Sequence, residues 1–300
     1  MWHVINYSNI KKILAINIAS IFAFMLCTLL RALPLIGEHF NALYISAPVG
    51  FILYHLLTYQ LCKRYNVSIR PYIILTIILC TFTMIQLPAR FSDFRGSAIT
   101  LPEQFIHLLG IISGYLNFQK HVKKWATVIL GGVCYILFIA LFPTFSDYLN
   151  YGSIKGKVKN IPMPNFKIIN KEKDTLSLQE LNGDYIILDL WHRRCPSCIR
   201  SFLKLQRLHQ IIQSKSNLSI YALNYPIDKT DPFLFMKNKG YEIPVLQLLN
   251  EDKDIVKEQI GINVFPTTII LNQKHQLLFR GSIEMVEKFL NKSDIIHTSD

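Results

Sequence analysis

The chain is 300 residues long, room for about two domains of ordinary size, and carries a net charge of +12. The charge sits on two unlike halves: residues 1–150 are long apolar stretches with 11 basic and four acidic residues, and residues 151–300 have the 21 and 16 of a soluble domain. Basic residues beside apolar segments argue for membrane orientation and against nucleic-acid binding. Six cysteines, four of them isolated in the apolar half, exclude a disulfide-stapled secreted fold.

Five apolar segments come first in chain order, at 13–30, 42–61, 71–87, 101–118 and 125–142. Each is close to the ~20 residues that a helix needs to cross a hydrocarbon core of ~30 Å. The first follows Lys11 and Lys12 but has no small-x-small cleavage site, so it reads as a retained anchor. The fourth carries Glu103 and His107 in its first turns, and an interfacial or packed helix is its alternative. One set of flanking loops holds Lys11, Lys12, Lys63, Arg64, Arg70, Lys120, Lys123 and Lys124; the other holds only Arg31, Arg90 and Arg95. Under the positive-inside rule the N-terminus is cytoplasmic, and five crossings leave everything after Phe142 outside the cytoplasm. The expected location is therefore the cytoplasmic membrane, with lipid around the first half and the second half on the periplasmic or extracellular face.

Residues 143–164 hold glycines, lysines and prolines without periodicity and read as a connector. The expected division is a multi-span membrane domain at 1–145, a linker at 146–164, a soluble domain at 165–292 and a tail at 293–300. Within the soluble half, strand-like runs fall at 185–191, 218–223, 243–249, 267–271 and 277–279. Helix-like runs fall at 196–212, 232–239, 252–260 and 283–290, the first of them clearly amphipathic. Such alternation predicts an α/β domain with a mixed sheet.

The chemistry concentrates at Cys195-Pro196-Ser197-Cys198. Cys195 follows a strand and a short turn, and Pro196 suits the first position of a helix, where its missing N–H has no partner to lose. A sulfur at a helix N-terminus meets free N–H groups and the positive end of the helix dipole, both of which favour the reactive thiolate. Arg193 and Arg194 add positive potential if their side chains turn toward it. Cys198, one helical turn on, can attack a mixed disulfide formed at Cys195. The rival readings are weaker. Structural zinc needs four ligands, and His192 and His209 have no suitable spacing. Haem attachment needs a histidine where Ile199 stands. An inert disulfide closing so short a loop gains little. Neither metal nor cofactor is expected.

Residues 185–198, with Asp189 and Trp191 ahead of the cysteines, resemble the active-site segment of thioredoxins. Pro164-Asn165-Phe166 and the run at 177–183 are similar to the TlpA/ResA branch of that family, and Val264-Phe265-Pro266-Thr267-Thr268 resembles its cis-proline loop. The resemblance covers roughly residues 160–292. It implies Cys195 as nucleophile, Cys198 as resolving thiol, a Cys195–Cys198 redox disulfide, Asp189 as a buried proton acceptor and Pro266 as the cis residue. Trp191, Phe265, Pro266 and Thr267 would line the substrate. Two departures stand out: Arg194 replaces the usual aromatic before the first cysteine, and Ala222 stands where thioredoxins place a lysine. The implied activity is thiol-disulfide exchange, as a reductant, on cysteine pairs of exported proteins, apocytochromes among them, with an unidentified electron donor or acceptor. An oxidase or isomerase, a transmembrane electron conduit through Cys27, Cys62, Cys80 and Cys134, and a non-catalytic docking module are the alternatives.

Overall fold

The computed structural model describes residues 7–32, 42–212 and 217–292. Two compact units divide the chain, residues 1–146 and 147–300.

The first unit is helical: α1 (Tyr7–Ala32), α2 (Ala42–Tyr65), α3 (Pro71–Ser92), the short α4 (Phe94–Ala98), α5 (Leu101–Phe118) and most of α6 (Lys124–Tyr151), whose last residues, 147–151, belong to the second unit. On α1, Leu14, Ile18, Phe22, Met25 and Leu29 form an exposed stripe, while Ile16, Ser20, Ala23 and Cys27 are buried among the other helices. The two stripes follow helical spacing, and the first is the face that lipid would cover. Among the described residues, four helices are long and apolar enough to cross a membrane, namely α1, α2, α3 and α6. The expected fifth span, α5, falls short on composition, and its burial shows why. Glu103 and His107 are both buried; Glu103 accepts a hydrogen bond from Ser46 and lies 3.6 Å from Arg31 Nε and 3.8 Å from His107 Nε2. Gly110 and Gly114 let α5 approach α2 closely, since a Cβ would lie 2.5 Å from the Phe51 carbonyl oxygen and 2.4 Å from that of His55. A helix that spends its polar residues on other helices need not be apolar all round. Cys27 and Cys62 are buried in this unit, and Cys27, Cys62, Cys80 and Cys134 are all free thiols.

The second unit is built on an eight-stranded mixed sheet. Its strands are β1 (Lys157–Pro162), β2 (Lys167–Ile169), β3 (Thr175–Ser177), β4 (Tyr185–Trp191), β5 (Leu218–Asn224), β6 (Val245–Leu248), β7 (Thr267–Asn272) and β8 (Gln276–Gly281), ordered β1-β8-β7-β4-β5-β6-β2-β3. Helices α7 (Pro196–Ile212), α8 (Pro232–Asn238) and α9 (Ile283–Lys292) complete it. β4 runs parallel to β5 and antiparallel to β7. Being central, it is buried along all but its first residue, which is why it reads as an unbroken apolar run. Ile187 and Trp191 face one core with Phe202, Leu205, Phe279 and Val286, and Ile186, Leu188 and Leu190 face the other with Leu246, Val256 and Ile269.

Two expectations need correction. The connector at 146–164 contains the end of α6 and strand β1, which pairs antiparallel with β8 through Lys157↔Phe279 and Ile161↔Leu277. As an edge strand, almost wholly exposed, β1 has no buried face to impose a period on its sequence. The hairpin β2–β3, three residues to a strand, is too short to leave a period in the sequence. The helix expected at 252–260 is helical but of mixed pitch, a 3-10 turn at Asn250–Asp252 leading into a π-helical turn at Ile255–Gln259, closed by Ile260 N–H to Ile255 C=O at 3.1 Å. The expected tail at 293–300 lies outside the described residues.

Gly156 has φ +72°, and a Cβ there would fall 2.0 Å from Phe279 Cε2, a buried ring. Gly240 has φ +74° with nothing near its missing Cβ. Gly156→Ala should therefore cost about 2–4 kcal/mol, from left-handed backbone plus overpacking, and Gly240→Ala about 1 kcal/mol. Denaturant unfolding of the full chain followed by tryptophan fluorescence checks the ranking; equal losses would contradict it.

Candidate active site

β4 ends at Trp191, and a tight turn closed by Cys195 N–H to His192 C=O at 3.1 Å delivers the chain to α7. Pro196 opens that helix, so Cys195 sits at its N-terminus. The backbone N–H of Cys198 points at Cys195 Sγ at 3.0 Å, and Ser197 Oγ lies 3.2 Å from the same sulfur. The Cys198 N–H and the start of the helix stabilise negative charge on Cys195 when the pair is reduced. The two cysteines form a disulfide, and both are buried.

The strand-to-strand register brings the rest together. The Phe265–Pro266 peptide is cis. The Phe265 carbonyl lies 3.5 Å from Cys195 Sγ and accepts a hydrogen bond from Ser197 Oγ at 3.4 Å, so the loop faces the disulfide. Phe265 and Pro266 remain partly open to solvent there. Asp189 lies in β4 between Ala222 and Thr268. It is fully buried; its Oδ1 accepts from Thr268 Oγ1 at 2.7 Å, and Oδ2 has no hydrogen-bond partner. Burial pushes the Asp189 carboxyl up to about 7, against some relief from the Thr268 hydroxyl. The alternation of β4 puts Asp189 on the same face as Trp191, toward α7 and Cys198.

Other expected site residues sit differently. Trp191 is a core group, packed edge-on to Phe202 at 5.0 Å and stacked near Phe235 at 5.7 Å, so it supports the site from beneath and has no face for substrate. Thr267 is buried, with its hydroxyl donating to the Val264 carbonyl at 2.6 Å, and it shapes the loop from inside. Arg193 and Arg194 both pair with Asp228 Oδ2, at 3.6 and 3.4 Å. Hydrogen bonds from Thr230 hold Asp228 below the usual carboxylate range, so it stays charged and offsets the two arginines. Asp228 belongs to the loop after β5, remote in sequence, and no local pattern announces it. Thr268 had a signal in the Thr pair after Pro266, and Ser197 one inside the cysteine motif. Among the described residues no group of three or more His, Cys, Asp or Glu could hold a metal.

Residues 160–279 match the AhpC/TSA family. The C-terminal unit is a thioredoxin-like domain. It is similar to the thiol-disulfide oxidoreductase ResA of Halalkalibacterium halodurans, 25% identical over 130 residues that make up 42% of this chain and 72% of that protein. It is also similar to the thioredoxin-like protein YneN of Bacillus subtilis, at 23% over 155 residues, 51% of this chain and 86% of the relative. Among solved structures, a thiol:disulfide interchange protein from Bacteroides sp. is 20% identical, covering 45% of this chain and 92% of its own, with a TM-score of 0.40. A second, described as a putative DsbE of Chlorobium tepidum, is 18% identical over 46% of this chain and 98% of its own, again with a TM-score of 0.40.

The Asp189 position in the thioredoxin-like domain has a pH signature. Its folded pKa of about 7 lies above the ordinary 3.8, so the native state binds the extra proton and stability falls as pH rises through that window, levelling off above it. The gap corresponds to about 4 kcal/mol. Asp189→Asn should unfold at higher denaturant than the parent at pH 8 and at nearly the same denaturant at pH 4. An unchanged difference across that range would contradict the buried-carboxylate assignment.

Proposed function

We propose that this chain is a membrane-anchored thiol-disulfide oxidoreductase that reduces cysteine pairs of exported proteins, its thioredoxin-like domain lying outside the cytoplasm. The observation that carries the reading is the Cys195–Cys198 disulfide at a helix N-terminus, with a buried Asp189 behind it and the cis Phe265–Pro266 loop before it. A relative named as a thiol-disulfide oxidoreductase supports it.

In the reduced state, the Cys195 thiolate attacks one sulfur of a substrate disulfide, forming a mixed disulfide and releasing the other substrate sulfur as a thiolate. Asp189 takes the Cys198 proton, directly or through water, and the resulting thiolate attacks Cys195 Sγ. The substrate leaves as a dithiol, and two electrons have passed from the Cys195–Cys198 pair to it. The disulfide seen here is the product state. A donor dithiol must then reduce it by the reverse exchange.

Direction follows from thiolate stability, since a strongly stabilised Cys195 thiolate makes the oxidised form the stronger oxidant. Arg193 and Arg194 would push that way, and their pairing with Asp228 tempers the push. This favours the reductant over the oxidase.

For the membrane half, α5 is taken as a fifth crossing that hides its polar residues against α1 and α2. Five crossings with a cytoplasmic N-terminus agree with the eight-to-three charge bias of the loops. The free, separately placed thiols of this half leave it the role of anchor.

The full chain in detergent should reduce insulin with a dithiol donor, and Cys195→Ser should bring the rate to background; undiminished activity would remove Cys195 as nucleophile. Cys198→Ala should accumulate mixed disulfides with the physiological substrate in cells, visible as bands lost on reduction. Membrane-impermeant maleimide should tag reduced Cys195 on intact spheroplasts. Protection there, with labelling after lysis, would place the domain inside.

A further inference from the structure

We infer that Tyr151 is a positioning residue for the cis-proline loop, clamped by Arg280 so that its hydroxyl holds the Pro266 carbonyl. The inference rests on the exchange reaction proposed above.

Helix α6 ends at Tyr151, and Gly152, with φ +71°, turns the chain away while its N–H caps the Tyr148 carbonyl at 2.8 Å. Tyr151 is 7% exposed, so its ring is inside the soluble unit. Its hydroxyl donates to the Pro266 carbonyl at 3.4 Å. Its own carbonyl accepts from Arg280 Nε at 3.0 Å, and Arg280 Nη1 donates to the Ile260 carbonyl at 2.8 Å. The backbone N–H of Arg280 donates to the Gly156 carbonyl at 2.8 Å. One residue of β8 thus ties three segments together: the end of α6, the turn that leads into β1, and the residue just ahead of the loop at 261–266.

The slot for the guanidinium is built. Gly152 and Gly261 both have positive φ, and a Cβ on either would come 3.1 Å from Arg280 Nη2 or 3.3 Å from Nη1. A flexible surface arginine needs no such space. The loop has reason to need the support. Residues 261–266 lie in neither helix nor strand, and Pro266 has no N–H, so its carbonyl is its one backbone handle. Holding that carbonyl fixes the peptide plane between Pro266 and Thr267. The Val264–Phe265 backbone ahead of it then keeps the orientation that an extended substrate strand would pair with. Tyr151 hydrogen-bonds neither sulfur nor Asp189, its hydroxyl being given to Pro266, so its effect should fall on substrate binding.

The test uses the full chain in detergent, with a disulfide-containing peptide as substrate. Tyr151→Phe keeps the ring and removes one hydrogen bond. KM should rise about three- to tenfold, the range of a single lost hydrogen bond, with kcat and the glutathione equilibrium of Cys195–Cys198 unchanged. Arg280→Gln should shift KM the same way. A parental KM in Tyr151→Phe, or a shifted glutathione equilibrium with KM unmoved, overturns the assignment. Amide exchange of residues 262–268 is read alongside and needs no catalysis. Faster exchange of that loop in Tyr151→Phe supports the clamp, and unchanged exchange overturns it. Absence of any disulfide exchange in the parent chain would sink the proposed function alone, leaving the loop exchange to decide on Tyr151.

Discussion

Strand β4 lies between a parallel and an antiparallel neighbour, and the placement of every reactive group follows from that. Its C-terminal end launches the turn to Cys195. Its parallel partner β5 leads to the loop that carries Asp228, and its antiparallel partner β7 begins directly after Pro266. Because β4 is covered on both faces, the one carboxylate in it is stripped of water. Such a group is unstable as an anion, so its affinity for protons rises until it can exchange one near neutral pH. The same burial that costs the fold stability therefore leaves a carboxyl with raised proton affinity on the face toward α7.

Around Cys195 two electrostatic influences oppose each other. Helix α7 presents N–H groups and the positive end of its dipole to the sulfur, a fixed contribution from backbone geometry. Arg193 and Arg194 carry side-chain charges, and Asp228 pairs with both of them. The backbone contribution is built into the fold, and the side-chain contribution depends on a loop that another part of the chain provides. Reactivity at Cys195 is thus set by the domain as a whole and less by the residues next to it in sequence.

The helical unit shows the complementary principle. Away from water a buried carboxyl needs partners, and Glu103 finds three in Arg31, Ser46 and His107. Those partners come from α1, α2 and α5, so the polar group also specifies which helices meet. The glycines of α5 allow the close approach that brings them within reach. Lower hydropathy in α5 is thus a consequence of its interior position.

By itself the sequence determined the two-part organisation, the central strand, the helix bearing the cysteines and the candidate set Cys195, Cys198, Asp189 and Pro266. Those features are local or periodic: long apolar runs, an amphipathic helix over 196–212 and a short motif at a strand end. Only the tertiary structure decided what the remaining side chains do. Trp191 turned inward because the sheet and α7 close over it, and Thr267 because the loop folds on its own hydroxyl. Arg193 and Arg194 met a carboxylate more than thirty residues away, and β1 became a strand only by pairing with β8. Each of these outcomes depends on a partner distant in the chain, and neither periodicity nor local propensity records such a partner.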